Sequence, residues 1–207
     1  MIRCIIFDFD GTLADTEQFS LNIYNELAEK YNFNKFTKQQ YEEAKKLPFS
    51  KGLALTGVPA SQIVPLLNKG QKLLKAQINN VEPFTDKLKE IIESLKQQVE
   101  YVGIISSNTK KNIKRFLKNM DIEVDFIKSS PLFTKEIKIT NIMHKLKLQQ
   151  KDILYVGDET RDIISSNKAG VYSAGVTWGY NSAEMLEKEN PTYLINQLSE
   201  IFDIIKK

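Results

Sequence analysis

The stretch Cys4-Ile5-Ile6-Phe7-Asp8-Phe9-Asp10-Gly11-Thr12-Leu13 passes without a spacer from an apolar run into two alternate carboxylates and a glycine. Side chains two apart on an extended chain point the same way, so Asp8 and Asp10 would share one side of a strand end. Gly11 then permits a sharp departure of the backbone. Further runs of strand character lie at Tyr101 to Ile105, Val124 to Ile127, Ile153 to Val156 and Val171 to Val176, besides the first at Ile2 to Phe7. Between them Leu88, Ile91, Ile92 and Leu95, then Ile113, Phe116, Leu117 and Met120, then Ile139, Ile142, Met143 and Leu146 keep the spacing of one buried helical face. Strand and helix alternate, which predicts right-handed crossovers and a doubly wound parallel α/β sheet with helices on both faces.

One segment departs from the alternation. From Asp15 to Glu82 there is helical pattern only, as in Phe19, Ile23, Leu27 and Tyr31, and breakers at Pro48, Gly52, Gly57, Pro59, Pro65 and Gly70 would cut it into several short helices. The expected division is a core of residues 1–14 and 83–207 with a helical insert of residues 15–82. The chain has 207 residues, 42% hydrophobic and 27% charged, with no apolar run long enough to span a membrane, so disorder and a transmembrane helix are both excluded. Its start is too short and too abruptly acidic for a secretory leader, which makes a cytoplasmic protein the expectation. A single cysteine, Cys4, lies within the first apolar run and reads as a small buried hydrophobe. The 29 basic and 26 acidic residues are scattered, leaving a net charge of +3 without the basic stripe of a nucleic-acid binder.

Ligands of such sheets bind beyond the carboxyl ends of the strands, so the polar residues after each run belong to one inspection. The first run leads to Asp8, Asp10, Gly11 and Thr12, the second to Ser106, Ser107 and Asn108, and the fourth to Gly157, Asp158, Glu159 and Asp162; Lys135 follows the third. Asp158 and Asp162 share a face at the start of a helix, where like charges repel. Acids converging at one sheet edge need a cation, and an oxygen-only donor set beside a phosphate suits Mg²⁺. Zinc is disfavoured, because one His and one Cys cannot build a nitrogen or sulfur cage.

The run Asp8-Phe9-Asp10-Gly11-Thr12-Leu13, a Ser after the second strand, a downstream Lys and Gly157-Asp158-x-x-x-Asp162 resemble the four motifs of the haloacid dehalogenase-like hydrolase superfamily. The insert falls where that superfamily carries a small helical cap, and the tail from Val171 through Val176-Thr177-Trp178-Gly179-Tyr180-Asn181 is similar to its phosphoglycolate phosphatase-like branch. The resemblance implies a Rossmann-like core and a Mg²⁺-dependent phosphatase acting on a small anionic phosphorylated metabolite. Asp8 would attack phosphorus and become an aspartyl phosphate, and Asp10 would act as acid and then as base. Asp8, the Asp10 carbonyl and Asp158 would hold the metal. Ser106 and Lys135 would bind the transferring phosphoryl group, and Asp162 would orient Lys135 or a water of the metal shell. A carboxylic acid at position 10 fits phosphate esters, whereas the dehalogenases, phosphonatases and transport ATPases of the superfamily place non-acids there; Thr12 in place of Val leans from a sugar-phosphate mutase toward a phosphatase.

Alternatives stay open at several positions. A one-residue slip exchanges Ser106 with Ser107; Ser106 is preferred, with Gly11, Thr12, Ser107 and Asn108 as substrate contacts. Lys135 competes with Lys128 and Lys138, and wins because it opens a helix before Asp158. Glu159 reads as solvent-facing or as an outer neighbour of the metal. Lys51, in Pro48-Phe49-Ser50-Lys51, either meets a second anionic group of the substrate or is solvated. His144 lies off its helix's apolar face and reads as surface, while Trp178 and Tyr180 either line the site's rim or pack on the core. A phosphomutase, a pyrophosphatase or nucleotidase, and a non-catalytic phospholigand module share the same core. A receiver domain is excluded by motif order and by the insert. Nothing implies nucleic acid or membrane partners, and the expected assembly is a monomer or weak homodimer.

Overall fold

The computed structural model describes residues 1–131 and 134–206. Its order is β1 (Cys4–Phe7), α1 (Glu17–Tyr31), α2 (Lys38–Ala44), α3 (Phe49–Leu55), α4 (Ala60–Gln77), α5 (Leu88–Gln98), β2 (Tyr101–Ser106), α6 (Lys110–Asn119), β3 (Phe126–Ser129) and α7 (Lys135–Lys145). The remainder is β4 (Ile153–Gly157), α8 (Thr160–Ala169), β5 (Tyr172–Val176), α9 (Ala183–Glu187), β6 (Tyr193–Ile195) and α10 (Ile201–Ile205). The strands form one parallel sheet in the order β3-β2-β1-β4-β5-β6. The doubly wound α/β expectation is met. Alternation within β1 divides the core: Ile5 and Phe7 join Leu88, Ile92, Ile104 and Phe116 on one face, and Cys4 and Ile6 join Ile105, Ile139 and Tyr155 on the other. Burial, with Asp125 second, pushes the Cys4 thiol up to about 12, so it packs as a hydrophobe.

The chain adds β2 and β3 on one side of β1 and β4 to β6 on the other, so the switch point of the winding falls beside β1. Phe7 is level with both Ile104 and Val156. The residues that follow these three therefore emerge together at one edge, where this topology places ligands.

Three details differ from the sequence expectation. The strand placed at Val124 to Ile127 runs from Phe126 to Ser129, because the Asp125 carboxylate and amide close onto Val102 before pairing starts. A sixth strand, β6, is a three-residue edge strand too short to leave a periodic signal. Pro65 and Gly70 do not end a helix: both lie inside α4, where Pro65 removes one amide near the helix start. At Gly70, α4 packs against Ile23 and Leu27 of α1. Gly52 likewise sits within α3, whereas Pro48 and Pro59 precede α3 and α4 as read.

The helices α1 to α4 form one continuous insertion between β1 and the core helix α5. Outgoing and returning chains lie side by side, Asp15 donating its amide to Glu82 at 2.9 Å and Phe84 to Leu13 at 3.2 Å. No helix among the described residues is long and apolar enough to cross a membrane.

Candidate active site

Asp8 continues β1 and is 3% exposed. Its Oδ1 accepts the Phe9 amide at 2.8 Å and its Oδ2 accepts the Lys135 ammonium at 2.6 Å. Lys135 opens α7, is itself buried, and also donates to Asp162 Oδ1. Burial alone would push this ammonium down, but Asp162 and Asp8 more than offset it and hold its pKa well above the usual lysine value. Of the three lysines weighed from sequence, Lys135 is the one that meets the acids.

Asp158 follows β4 and accepts the Thr12 hydroxyl at 2.7 Å and the Tyr180 amide at 2.9 Å. Asp162 lies one turn into α8, fully buried, and its Oδ2 accepts the Glu159 amide at 3.1 Å, half of a capping box. One carboxylate oxygen from each of Asp8, Asp158 and Asp162 lies within 4.8 Å of the others. Burial is the main cause raising both helix-start acids: Asp162 is pushed up to about 6, against the pull of Lys135, and Asp158 well above the usual range, with Glu159 and Asp8 adding to it. Three buried acids sharing one ammonium form a charge-deficient, oxygen-only cluster, a donor set that fits a hard divalent cation. The expectation had Asp162 outside the metal shell, and its oxygen falls within the same 4.8 Å span as those of Asp8 and Asp158.

Asp10 is held from β2's side, with Asn108 Nδ2 donating to both carboxylate oxygens at 2.9 and 3.0 Å. Burial, and next the charge of Asp8, push the Asp10 carboxyl up to about 7, against hydrogen bonds from Thr16 and Asn108 that pull it down. That value is matched to a group that gives and takes a proton near neutrality.

The backbone at this edge is as constrained as the side chains. Gly11 has φ +76°, and a Cβ there would stand 2.1 Å from Asp158 Oδ2. Gly11→Ala is expected to lose about 1–3 kcal/mol to the left-handed backbone alone, with the displacement of Asp158 added, visible as a lower Tm and weaker divalent-metal binding. A variant melting with the parent would show that Asp158 does not pack on Gly11.

The structure revises several contacts expected from sequence. Ser106 is fully buried with its Oγ accepting the Asn108 amide at 3.2 Å, which leaves its own hydroxyl proton to donate, and Ser107 lines the cavity that Asp10 also lines. The Thr12 hydroxyl donates to Asp158, and the Asn108 side chain, which also lines the cavity, bonds Asp10, Thr109 and Asn112, so both position acids of the site. Lys51 is exposed on α3 and does not line the cavity. Gly11 and Glu159 do line it, as does Tyr180, while Trp178 packs on the core and donates to the Thr12 carbonyl at 3.2 Å.

The cavity measures about 670 Å³ and lies between the insert and the sheet edge. Sequence reasoning missed Arg161, whose guanidinium bonds Glu159 at 2.6 Å and covers the Phe49 ring at 4.1 Å. It also missed Gln71, which donates to the Ser107 carbonyl from α4 at 2.5 Å. Arg161 stands inside the quoted acidic motif, and its spacing from Asp158 was the available signal; Gln71 left none.

The fold and the acidic edge together define a hydrolase of the doubly wound α/β type. Residues 5–176 match the model of the haloacid dehalogenase-like hydrolases, and the chain belongs to that family. It is 26% identical over 207 residues to a phosphoglycolate phosphatase of Synechococcus elongatus, covering 99% of this chain and 97% of that protein. It is 20% identical over 220 residues to the pyrophosphatase PpaX of Bacillus mycoides, covering 100% and 98%. Among solved structures, a haloacid dehalogenase-like family hydrolase from Streptococcus pneumoniae has the same fold, with a TM-score of 0.81, 21% identity and 98% of both chains covered.

Proposed function

We propose that the chain is a Mg²⁺-dependent phosphatase of small phosphorylated metabolites working through an aspartyl phosphate. The observation that carries this reading is the pairing of a nucleophile candidate, Asp8, hydrogen-bonded to Lys135, with a second carboxyl two residues on that titrates near neutrality. In the first step a carboxylate oxygen of Asp8 bonds to phosphorus as the ester P–O bond breaks, and Asp10 gives its proton to the departing alkoxide. In the second, Asp10 takes a proton from water, the water oxygen bonds to phosphorus, and the bond from Asp8 to phosphorus breaks, releasing phosphate and restoring Asp8. Lys135 and Ser106 bind the equatorial oxygens through both steps, and Asn108 aims Asp10. Asp8, the Asp10 carbonyl and Asp158 would hold Mg²⁺, with Asp162 and Glu159 beside them. Bound there, Mg²⁺ neutralises nucleophile and phosphate so that two anions can meet.

Residues 15–82 act in this reading as a cap over a core of 1–14 and 83–207, hinged at the paired chains, and closure excludes water from the leaving group. The protein is expected to be cytoplasmic and to act as a monomer or weak homodimer. The test is phosphate release from alkyl phosphates and from 4-nitrophenyl phosphate, with Mg²⁺ and with chelator. Release should require the metal. Since Asp10 must start protonated, kcat/KM for an alkyl ester should fall above about pH 7, while the nitrophenyl ester, whose leaving group needs no proton, should fall less. Release untouched by chelator would sink the metal reading, and superimposable pH profiles would remove Asp10 as the acid.

A further inference from the structure

Resting on the phosphatase reading, the geometry points to a substrate whose leaving group is an uncharged alcohol with an apolar, aromatic or alkyl body, rather than glycolate or a second phosphate.

The insert's side of the cavity includes Ile23, Tyr24 and Leu27 of α1, Phe49 of α3 and Val64 and Leu67 of α4, with Ser20, Asn68 and Gln71 as neutral polar groups among them. Val64 and Leu67 are 56% and 44% exposed, large apolar side chains left open to water among the described residues. An apolar ligand body would remove them from water at roughly 25 cal/mol per Å². Tyr41 and Tyr180, edge to face with centroids 5.7 Å apart, extend the aromatic lining toward the acids.

The charges lining the cavity point the same way. Four acids, Asp10, Glu17, Asp158 and Glu159, reach it, against Arg161 as the single lining cation among the described residues. Arg161 is already paired with Glu159 and stacked on Phe49. Lys45, the partner of Glu17 at 2.8 Å, also pairs with Glu42 at 3.6 Å and does not line the cavity. Lys135, and Mg²⁺ where bound, would serve the phosphoryl end. A carboxylate or second phosphate on the leaving group would thus meet a lining of apolar and neutral polar side chains with no unpaired cation among the described residues, at a cost in hydration. At about 670 Å³ the cavity also has the size of sites that hold bodies far larger than two carbons.

The experiment compares benzyl phosphate, phosphoglycolate and inorganic pyrophosphate with the Mg²⁺-loaded protein, since benzyl alcohol and glycolate leave as alkoxides of similar basicity. Benzyl phosphate should exceed both others in kcat/KM by at least about tenfold. Leu67→Lys, at a partly exposed position that tolerates a long side chain, should raise KM for benzyl phosphate and lower it for phosphoglycolate, moving their ratio by about tenfold or more. Equal or better turnover of phosphoglycolate or pyrophosphate overturns the inference and leaves the phosphatase standing, as does a ratio unmoved by Leu67→Lys. No release from any of these or from 4-nitrophenyl phosphate overturns both.

Discussion

Asp8→Asn is expected to lower kcat by at least about 10⁴-fold, the scale of loss when a covalent nucleophile is removed, without unfolding the protein. An amide has no anionic oxygen to bond to phosphorus, yet its oxygen can still accept the Phe9 amide and Lys135 still has Asp162. Stability moves in an informative direction. The charge of Asp8 is among the causes that raise Asp10, Asp158 and Asp162, so its removal relieves repulsion inside a buried cluster. In chelator the variant should melt no lower than the parent, and activity and melting temperature should therefore part company. A variant that lost both together would show only that the site had collapsed, and one as active as the parent would place the nucleophile elsewhere.

The edge of β1 was readable from sequence because its signals are local. Asp8, Asp10 and Gly11 follow an apolar run directly, and Asp158 and Asp162 follow another at helical spacing. Positions whose meaning depends on a partner far along the chain were not readable in the same way. Ser106 and Ser107 differ only by strand parity, which is set by the register against β1. Thr12 and Asn108 looked like substrate contacts because they flank the motifs; their side chains are taken by Asp158, 146 residues on, and by Asp10, 98 residues back. The insert was least legible. Its helical character showed in periodicity, but α4 runs through Pro65 and Gly70 because its packing on α1 outweighs the local preference of two residues. Lys51 was weighed for charge, whereas the residues of that segment reaching the cavity include Phe49.

Lys135→Met should be the most destabilising single change at the site, and its effect should depend on pH. The residue is 7% exposed, and among the described residues its ammonium is the one cation touching both Asp8 and Asp162. Methionine keeps the length and removes the charge, leaving two buried carboxylates uncompensated, a loss of about 3–5 kcal/mol by the general cost of breaking such pairs. Asp162 sets the direction with pH. Its folded value of about 6 lies above the ordinary 3.8, so the folded state binds that proton more tightly, and the stability this confers is present at low pH and lost as pH rises through about 6. Lys135 pulls that value down, so without it the proton is held to still higher pH and the loss extends further upward. Urea unfolding in chelator should then show a deficit against the parent that is large near pH 8 and smaller near pH 5, where a protonated Asp162 no longer needs the ammonium. Activity should fall about 10²–10³-fold for want of a donor to the phosphoryl oxygens. A deficit constant across that range would mean that Lys135 stabilises the fold through its packed hydrocarbon stem, and the electrostatic account of the cluster would have to be abandoned.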